Sequence, residues 1–385
     1  MRSIYLDNSA TTKVYPEVAE EMCKTMMADY GNPSAKHLMG VEAEKYYRQS
    51  REEIAETLKV KAKEILFTSG GTESDNMALI GGAFAKVRQG KHIISSAIEH
   101  PAVYKTLEFL EKQGFEISIL AVDEKGHISL EELEKTIRED TVMVSIMTVN
   151  NEMGAIEDIH AIGELIKEKN PNCLFHTDAI QAYGKMLLRP KKDFVDLLSV
   201  SGHKLHGPKG IGFLFIDEKV KIDPILFGGG QQEGLRSGTL NIPGITGIGL
   251  AAKMVYQDFQ EKIERLYQLK DYFIEELLKL PEVKVNSEKG TASAPQIVSA
   301  SFYGVKAEVL LHALEDKGIY VSSGSACSSN HPGISGTLKA IGLGQKELDS
   351  TLRFSFSFFT EKRELTDTIE ALKELLPVLR KFYKA

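Results

Sequence analysis

The sequence predicts an α/β fold: a largely parallel sheet covered by helices on both faces, followed by a smaller α+β part near the C-terminus. Three observations predict it. Short apolar, β-rich runs recur between residues 65 and 216. Helix-length amphipathic stretches separate most of them. Strands that alternate with helices pair in parallel, because each crossover returns the chain to the same end of the sheet.

Taken in order, the candidate strands are Ile65–Thr68, His92–Ser95, Ile117–Val122, Val142–Val149, Leu174–Thr177, Val195–Val200 and Ile211–Ile216. Each is rich in β-branched or aromatic residues and is bounded by polar or turn-forming ones. Leu130–Arg138 and Ile159–Lys169 carry the helical pattern between them. Glycines 228–230 close this section. One long helical pattern then runs from about Thr246 to Leu280, with Met254, Val255, Phe259, Ile263, Leu266, Leu269, Phe273 and Leu277 recurring near the helical period. It reads as a connector into the last part, where Gln296–Phe302 and Gly318–Ser322 are strand-like and helices follow. The chain has no internal repeat and no low-complexity tract.

Composition bounds the function. A chain of 385 residues holds one large domain and one smaller one. Apolar content of 42% and charged content of 26% are ordinary for a globular protein. A net charge of −7 and a pI near 5.9 argue against a nucleic-acid groove or an anionic membrane surface. No segment reaches the ~20 consecutive apolar residues of a membrane helix, and the first residues lack a signal-peptide core. A cytoplasmic location is expected.

The three cysteines, Cys23, Cys173 and Cys327, are too few and too scattered for a disulfide framework or a zinc site, and no metal is expected. Cys23, in the amphipathic run Pro16 to Met27, and Cys173, before the Leu174 strand, are expected to be small buried hydrophobes. Cys327 differs. It lies in Ser322-Ser323-Gly324-Ser325-Ala326-Cys327-Ser328-Ser329-Asn330-His331-Pro332-Gly333, a run of small and turn-forming residues expected to be exposed and mobile.

Three motifs carry chemistry. In Ser201-Gly202-His203-Lys204-Leu205-His206-Gly207-Pro208-Lys209-Gly210-Ile211-Gly212 a lysine stands at a strand end with a hydroxyl and an imidazole before it. Such an amine can form a Schiff base with an aldehyde cofactor, and the small polar neighbours can hold a phosphate. A turn with a solvated lysine reads equally well from that run alone. Asp178, ending the strand Leu174–Thr177, can pair with a protonated pyridine nitrogen or cap the following helix. One strand separates it from Lys204, which places both groups at neighbouring strand ends, where open α/β sheets bind ligands. Ile65-Leu66-Phe67-Thr68-Ser69-Gly70-Gly71-Thr72 runs from strand to helix start, where the backbone near Gly71 and the Thr72 hydroxyl can cradle a phosphate. It matches neither GxxxxGK[ST] nor GxGxxG.

In joint order and spacing these residues resemble the fold-type I pyridoxal phosphate enzymes of aminotransferase class V, and more narrowly the cysteine desulfurases of the NifS/IscS type. The resemblance begins at Tyr5-Leu6-Asp7-Asn8-Ser9-Ala10-Thr11-Thr12. It continues through Gly31-Asn32-Pro33-Ser34, Glu99-His100, Asn150-Asn151-Glu152, Gly228-Gly229-Gly230 and Arg236-Ser237-Gly238-Thr239. It closes with Ser323-Gly324-Ser325-Ala326-Cys327 and Arg353-Phe354-Ser355.

The resemblance implies a seven-stranded sheet in a large cofactor-binding domain at 14–250. It implies a small domain built from 1–13 plus 251–385, carrying the cysteine loop at about 322–336. The cofactor is pyridoxal 5'-phosphate, on Lys204. Asp178 faces the ring nitrogen, and His100 lies on the ring and exchanges protons with the substrate thiol, as an imidazole of pKa near ~6.5 can. Asn151 and Gln181 fall near the ring hydroxyl. Gly71, Thr72, Ser201 and His203 fall at the phosphate, and Thr239 joins them across a homodimer interface. Arg353, an arginine in an apolar run that needs a carboxylate partner, receives the substrate carboxylate with help from Asn32. A structural salt bridge is its other reading.

The implied reaction converts L-cysteine to L-alanine. Lys204 takes the Cα proton, and the Cys327 thiolate takes the sulfur as a persulfide for an acceptor protein. That acceptor serves iron–sulfur cluster assembly, tRNA thiolation or a cofactor. A selenocysteine lyase or another class V enzyme is the first alternative, and a catalytically silent sulfur carrier is the second. Gln231-Gln232-Glu233-Gly234 departs from the family's Gln-Glu-Arg-Gly, which affects contacts at the mouth of the site.

Overall fold

The computed structural model describes residues 3–323 and 335–383. Thirteen strands occur among them. The first, β1 (Ile4–Tyr5), pairs in parallel with β11 (Ile319–Tyr320). The central sheet has seven: β2 (Ile65–Thr68), β3 (His92–Ser96), β4 (Glu116–Leu120), β5 (Thr141–Ser145), β6 (Leu174–Asp178), β7 (Leu197–Ser201) and β8 (Gly212–Ile216). Their order is β2-β8-β7-β6-β5-β3-β4. All neighbours are parallel except that β8 runs against both β7 and β2. Two antiparallel steps restore the direction, so β2 points the same way as β7, β6, β5 and β3. Their C-terminal ends lie along one margin of the sheet.

The alternation of side chains explains the layers. Ile65, Phe67, Ile94, Val144, Phe175, Leu198, Val200, Phe213 and Phe215 join one core. Leu66, Ile93, Met143, Leu174, Leu197 and Leu214, one residue out of phase, join another. Successive residues of a strand point to opposite faces, so both faces are apolar and both are covered. The first core takes in helices Pro16–Met27, Leu38–Leu58, Ile159–Lys169 and Ile242–Tyr256. The second takes in the helical run from Gly71 to Ala85 and helix Pro101–Lys112.

A further core unites Ile4 and Leu6 with helix Phe259–Leu278, β10 (Ile297–Phe302), helix Ala307–Glu315, β13 (Thr351–Ser355) and helix Lys362–Tyr383. Its antiparallel sheet is ordered β12-β13-β10-β9, with β9 at Val283–Val285 and β12 at Ser322–Ser323.

One expectation changes. The pattern from Thr246 to Leu280 is two helices, not one. They break at Gln257, which is extended, and Asp258, at φ 50 and ψ 35. Aspartate tolerates that left-handed geometry better than most residues. Val255 packs on the central-sheet core, whereas Ile263 and Leu266 pack on the C-terminal one. The apolar period runs through the break because both helices bury one face, each against a different core.

Candidate active site

The C-terminal margin of the sheet opens into a cavity of about 180 Å³. Each bordering strand delivers a chemical group to it. β7 ends at Ser201, and a tight turn of Gly202–Lys204 presents His203 and Lys204. β6 ends at Asp178, with Ile180 and Gln181 just beyond. His100 arrives after β3, Met147 and Asn151 after β5, and Gly71 and Thr72 after β2. Ser9 and Arg353 complete the wall.

Lys204 Nζ donates to two backbone carbonyls, Ser9 O at 2.5 Å and Ala10 O at 2.6 Å. The same N-terminal segment is pinned by Thr12, whose amide and hydroxyl both donate to His203 O, at 2.9 and 3.0 Å. The carbonyl of Lys204 accepts from the buried Lys185 ammonium at 2.8 Å. Burial, helped by the charge of Lys204, lowers Lys185 to about 7.

Asp178 is buried, and its Oδ1 accepts from Ile180 N at 2.8 Å. Burial raises its carboxyl above the usual range, with Lys204 opposing. His100 caps helix Pro101–Lys112: its Nδ1 accepts from Ala102 N at 3.1 Å. In the neutral ring the proton therefore sits on Nε2. Burial, then the Lys204 charge, lowers His100 to about 4. His203 falls to about 4 for the same reasons. The cavity thus sets the Lys204 amine and the Asp178 carboxyl between uncharged imidazoles, with the Arg353 guanidinium in its wall.

Glycine is required at the phosphate-like cradle. Gly70 has φ 153 and ψ −176, a region essentially closed to other residues. A Cβ on Gly71 would run into the Ile180 side chain and stand 3.5 Å from Ser201 Cβ. An amine, a carboxylate at a strand end, a neutral imidazole and a bare-backbone cradle form a donor set that fits pyridoxal 5'-phosphate.

The structure brings together Lys204, Asp178, His100, Gly71, Thr72, Asn151, Gln181, Ser201, His203 and Arg353. Gln181 donates from Nε2 to Ser9 O at 3.0 Å. The carboxylate that Arg353 needs is Asp7: Nη2 to Oδ1 is 2.9 Å, and Nη1 donates to Asn151 O at 2.8 Å. The salt bridge is present, and the same side chain lines the cavity. Asn32 is not there. It is exposed, and its Oδ1 accepts from Ser34 N within its own turn. Thr239 is likewise exposed and outside the cavity.

Cys327 lies outside the described residues, as do all of 324–334. The residues flanking that stretch do abut the site. Ser322 pairs with Arg353 across β12 and β13, and Ser335 Oγ donates to Glu152 Oε2 at 2.5 Å, beside Asn151. Cys173 is buried as expected, which raises its thiol to about 12. Cys23 is exposed, against expectation. Its helix buries only Val18 and Thr25, so the apolar stripe is narrower than the sequence implies.

The departure at Gln232 has a structural use. Its side-chain amide accepts from Phe67 N at 2.7 Å and donates to Phe67 O at 2.8 Å, completing the free edge of β2. Sequence reasoning did not single out Asp7, Ser9 or Asp75. Asp7 and Ser9 had a signal in the N-terminal run; Asp75 sits in a polar helix start that reads as solvated.

The sequence profile of the aminotransferase class-V family matches residues 4–367. The chain is 43% identical over 379 residues to cysteine desulfurase IscS of Methanosarcina thermophila, covering 98% of this chain and 93% of that protein. Cysteine desulfurase IscS of Dictyoglomus turgidum is 42% identical over 380 residues, covering 98% and 96%. A solved structure of a NifS-like protein superposes with a TM-score of 0.93 at 36% identity, over 98% of this chain and 100% of that one.

Proposed function

This chain belongs to the aminotransferase class-V family, in its NifS/IscS-type cysteine desulfurase branch, and we infer that it converts L-cysteine to L-alanine with pyridoxal 5'-phosphate. The observation that carries the reading is the convergence of Lys204, Asp178 and His100 on one cavity from three strand ends. The other readings, a selenocysteine lyase, a different class V enzyme or a silent carrier, are not favoured by relatives of this similarity.

We assign Lys204 to hold the cofactor, Asp178 to its ring nitrogen, His100 to its ring, and Asn151 and Gln181 to its ring hydroxyl. Gly71, Thr72, Ser201 and His203 take the phosphate, joined by Thr239 from a second copy in a homodimer. When bound, the cofactor supplies an electron sink for the substrate carbon that loses its proton. Lys204 Nζ takes that Cα proton. His100, protonated on Nε2, donates a hydrogen bond to the substrate sulfur. Arg353 receives the carboxylate, sharing its charge with Asp7. The Cys327 thiolate attacks the substrate sulfur; its S–S bond forms as the substrate's C–S bond breaks. The β-carbon, left with the electron pair of the C–S bond, takes up a proton, Lys204 returns the Cα proton, and Cys327 keeps a persulfide.

We divide the chain into a large domain at 14–250 and a small one at 1–13 plus 251–385. The change of core partner supports two units, with the junction at Gln257–Asp258 because Ala251, Ala252 and Val255 still pack on the central-sheet core. The acceptor is a protein, either a scaffold for iron–sulfur clusters or a thiolation enzyme, in the cytoplasm. Among the described residues no helix is long and apolar enough to cross a membrane. The test is to supply L-cysteine and assay alanine and enzyme-bound persulfide together. Alanine without persulfide, or neither product, would overturn the proposal.

A further inference from the structure

Helix Gly71–Asn76 places a second carboxyl behind the one at the strand end. Asp75 has no exposed surface, and neither of its carboxylate oxygens has a hydrogen-bond partner. Among the described residues, no lysine or arginine pairs with it. His176 Nε2 lies 3.6 Å from Asp75 Oδ1. That ring is already held by Ser145 Oγ at Nδ1, 2.8 Å, and by Ser199 Oγ at Nε2, 3.0 Å, and burial keeps it neutral, near 3. One atom each of Asp75, His100 and Asp178 falls within 4.8 Å of the others. Beyond these, the charge that acts on Asp75 is the carboxyl of Glu99, also buried.

A fully buried carboxylate with the Ser199 hydroxyl nearby but no well-formed hydrogen bond to it is among the costliest groups a fold can hold, and the neutral acid costs far less. Two carboxyls at this range do not both ionise cheaply: one keeps its proton. We propose that Asp75 is a neutral carboxylic acid and that Asp75 and Asp178 hold one proton between them, so that the pair presents a single negative charge, on Asp178, to the cofactor. Burial first, then the Asp178 charge, pushes the Asp75 carboxyl well above its usual range, with the Ser199 hydroxyl offsetting part. One anion then faces one protonated ring nitrogen. A second would repel Asp178 and bind the ring proton too tightly. Asp75 is a positioning residue that acts through Asp178, and the inference rests on the pyridoxal phosphate reading.

The test is infrared difference spectroscopy of the holoenzyme labelled with carboxyl-13C aspartate, which leaves the buried acid Glu99 silent. Asp75→Asn should remove the carbonyl band of a protonated aspartic acid. The neutral-for-neutral change should keep the visible cofactor band, its pH dependence, and cofactor affinity within about threefold. Loss of a carboxylate band instead, or a shift of the visible band's pH midpoint by more than about one unit, would overturn it. Should Asp75→Asn fail to fold, the labelled wild type still decides: a protonated aspartate band at neutral pH is expected, and its absence refutes the assignment. A colourless wild-type protein would strike at the pyridoxal phosphate reading itself, while the band would still report on Asp75.

Discussion

Arg353 Nη2 stands 2.9 Å from Asp7 Oδ1, tying the last strand of the C-terminal sheet to the N-terminal segment that lies over Lys204. Arg353 is buried, with Asp7 partly in water. Removing one partner of such a pair leaves a charge uncompensated. Asp7→Asn should lower the unfolding free energy by ~2–3 kcal/mol, the low side for a buried pair because Asp7 is not fully enclosed. Urea denaturation checks this, and an unchanged midpoint would show the pair to be energetically idle. Arg353→Lys, which loses the planar fork, should raise KM for L-cysteine roughly tenfold with a smaller change in kcat.

Lys204→Ala should leave no turnover and no yellow colour. Borohydride reduction of the native enzyme followed by peptide mapping should place the pyridoxyl group on the peptide holding Lys204. Label on Lys185, whose ammonium is 2.8 Å from the Lys204 carbonyl, would reassign the anchor.

The sulfur half of the reaction should separate from the carbon half. Cys327→Ser should still bind cofactor and L-cysteine and show the accompanying spectral changes. It should form no persulfide and release little alanine. Cys23→Ser, at an exposed thiol, should be silent. Cys173→Ser should cost ~1 kcal/mol of stability and no activity. Mass spectrometry of sulfur-labelled enzyme beside alanine assays distinguishes the three, and a competent persulfide on Cys23 or Cys173 would move the nucleophile.

Stability should fall as pH drops below neutrality, with one buried acid working against that trend. Burial lowers His100, His203 and His206 from 6.5 to about 4. The unfolded chain protonates first, so their contribution is complete above 6.5 and is lost as pH falls toward 4. Glu99 runs the other way. Burial raises it from 4.5 to about 8, so its contribution is complete below 4.5 and is lost as pH rises through about 8. Thermal unfolding followed from pH 4 to 8 should show the histidine rise, and Glu99→Gln should remove the opposing fall between 4.5 and about 8 and so steepen that rise. A variant curve parallel to the wild type would exclude Glu99 as the source of that fall.

If Thr239 completes the phosphate site of a second copy, the active unit is a twofold dimer. Sedimentation at assay concentration should find no active monomer, and Thr239→Ala should weaken cofactor retention without changing the monomer fold. A fully active monomer would refute this.

Much of this was legible in the residues. The strands were readable because each apolar run is short and ends in a turn or a polar residue, as Ile65–Thr68 does before Gly70-Gly71. Lys204, Asp178 and His100 were readable because each follows a strand, and strand ends share a margin. What escaped depends on partners distant in sequence. Nothing near Arg353 announces Asp7. The break at Asp258 hides inside an unbroken apolar period. Asp75 looks like a solvated helix residue until the sheet and helix close over it, and Cys23 was misplaced because one helix face buries less than its pattern offers.

Gln232 mimics a strand: one side-chain amide satisfies both peptide groups of Phe67 on the outer edge of β2. At the other end of the sheet, β4 is flanked by the Arg138 fork on Glu116, at 2.7 and 2.8 Å. Exposed edges are where sheets recruit foreign strands and aggregate. A counterfeit peptide thus fills one rung of the edge at one end of this sheet, and a charged pair stands beside the edge at the other. If the chain hands its sulfur to an acceptor protein, as proposed, these two features make the ends of the sheet poorer templates for that encounter.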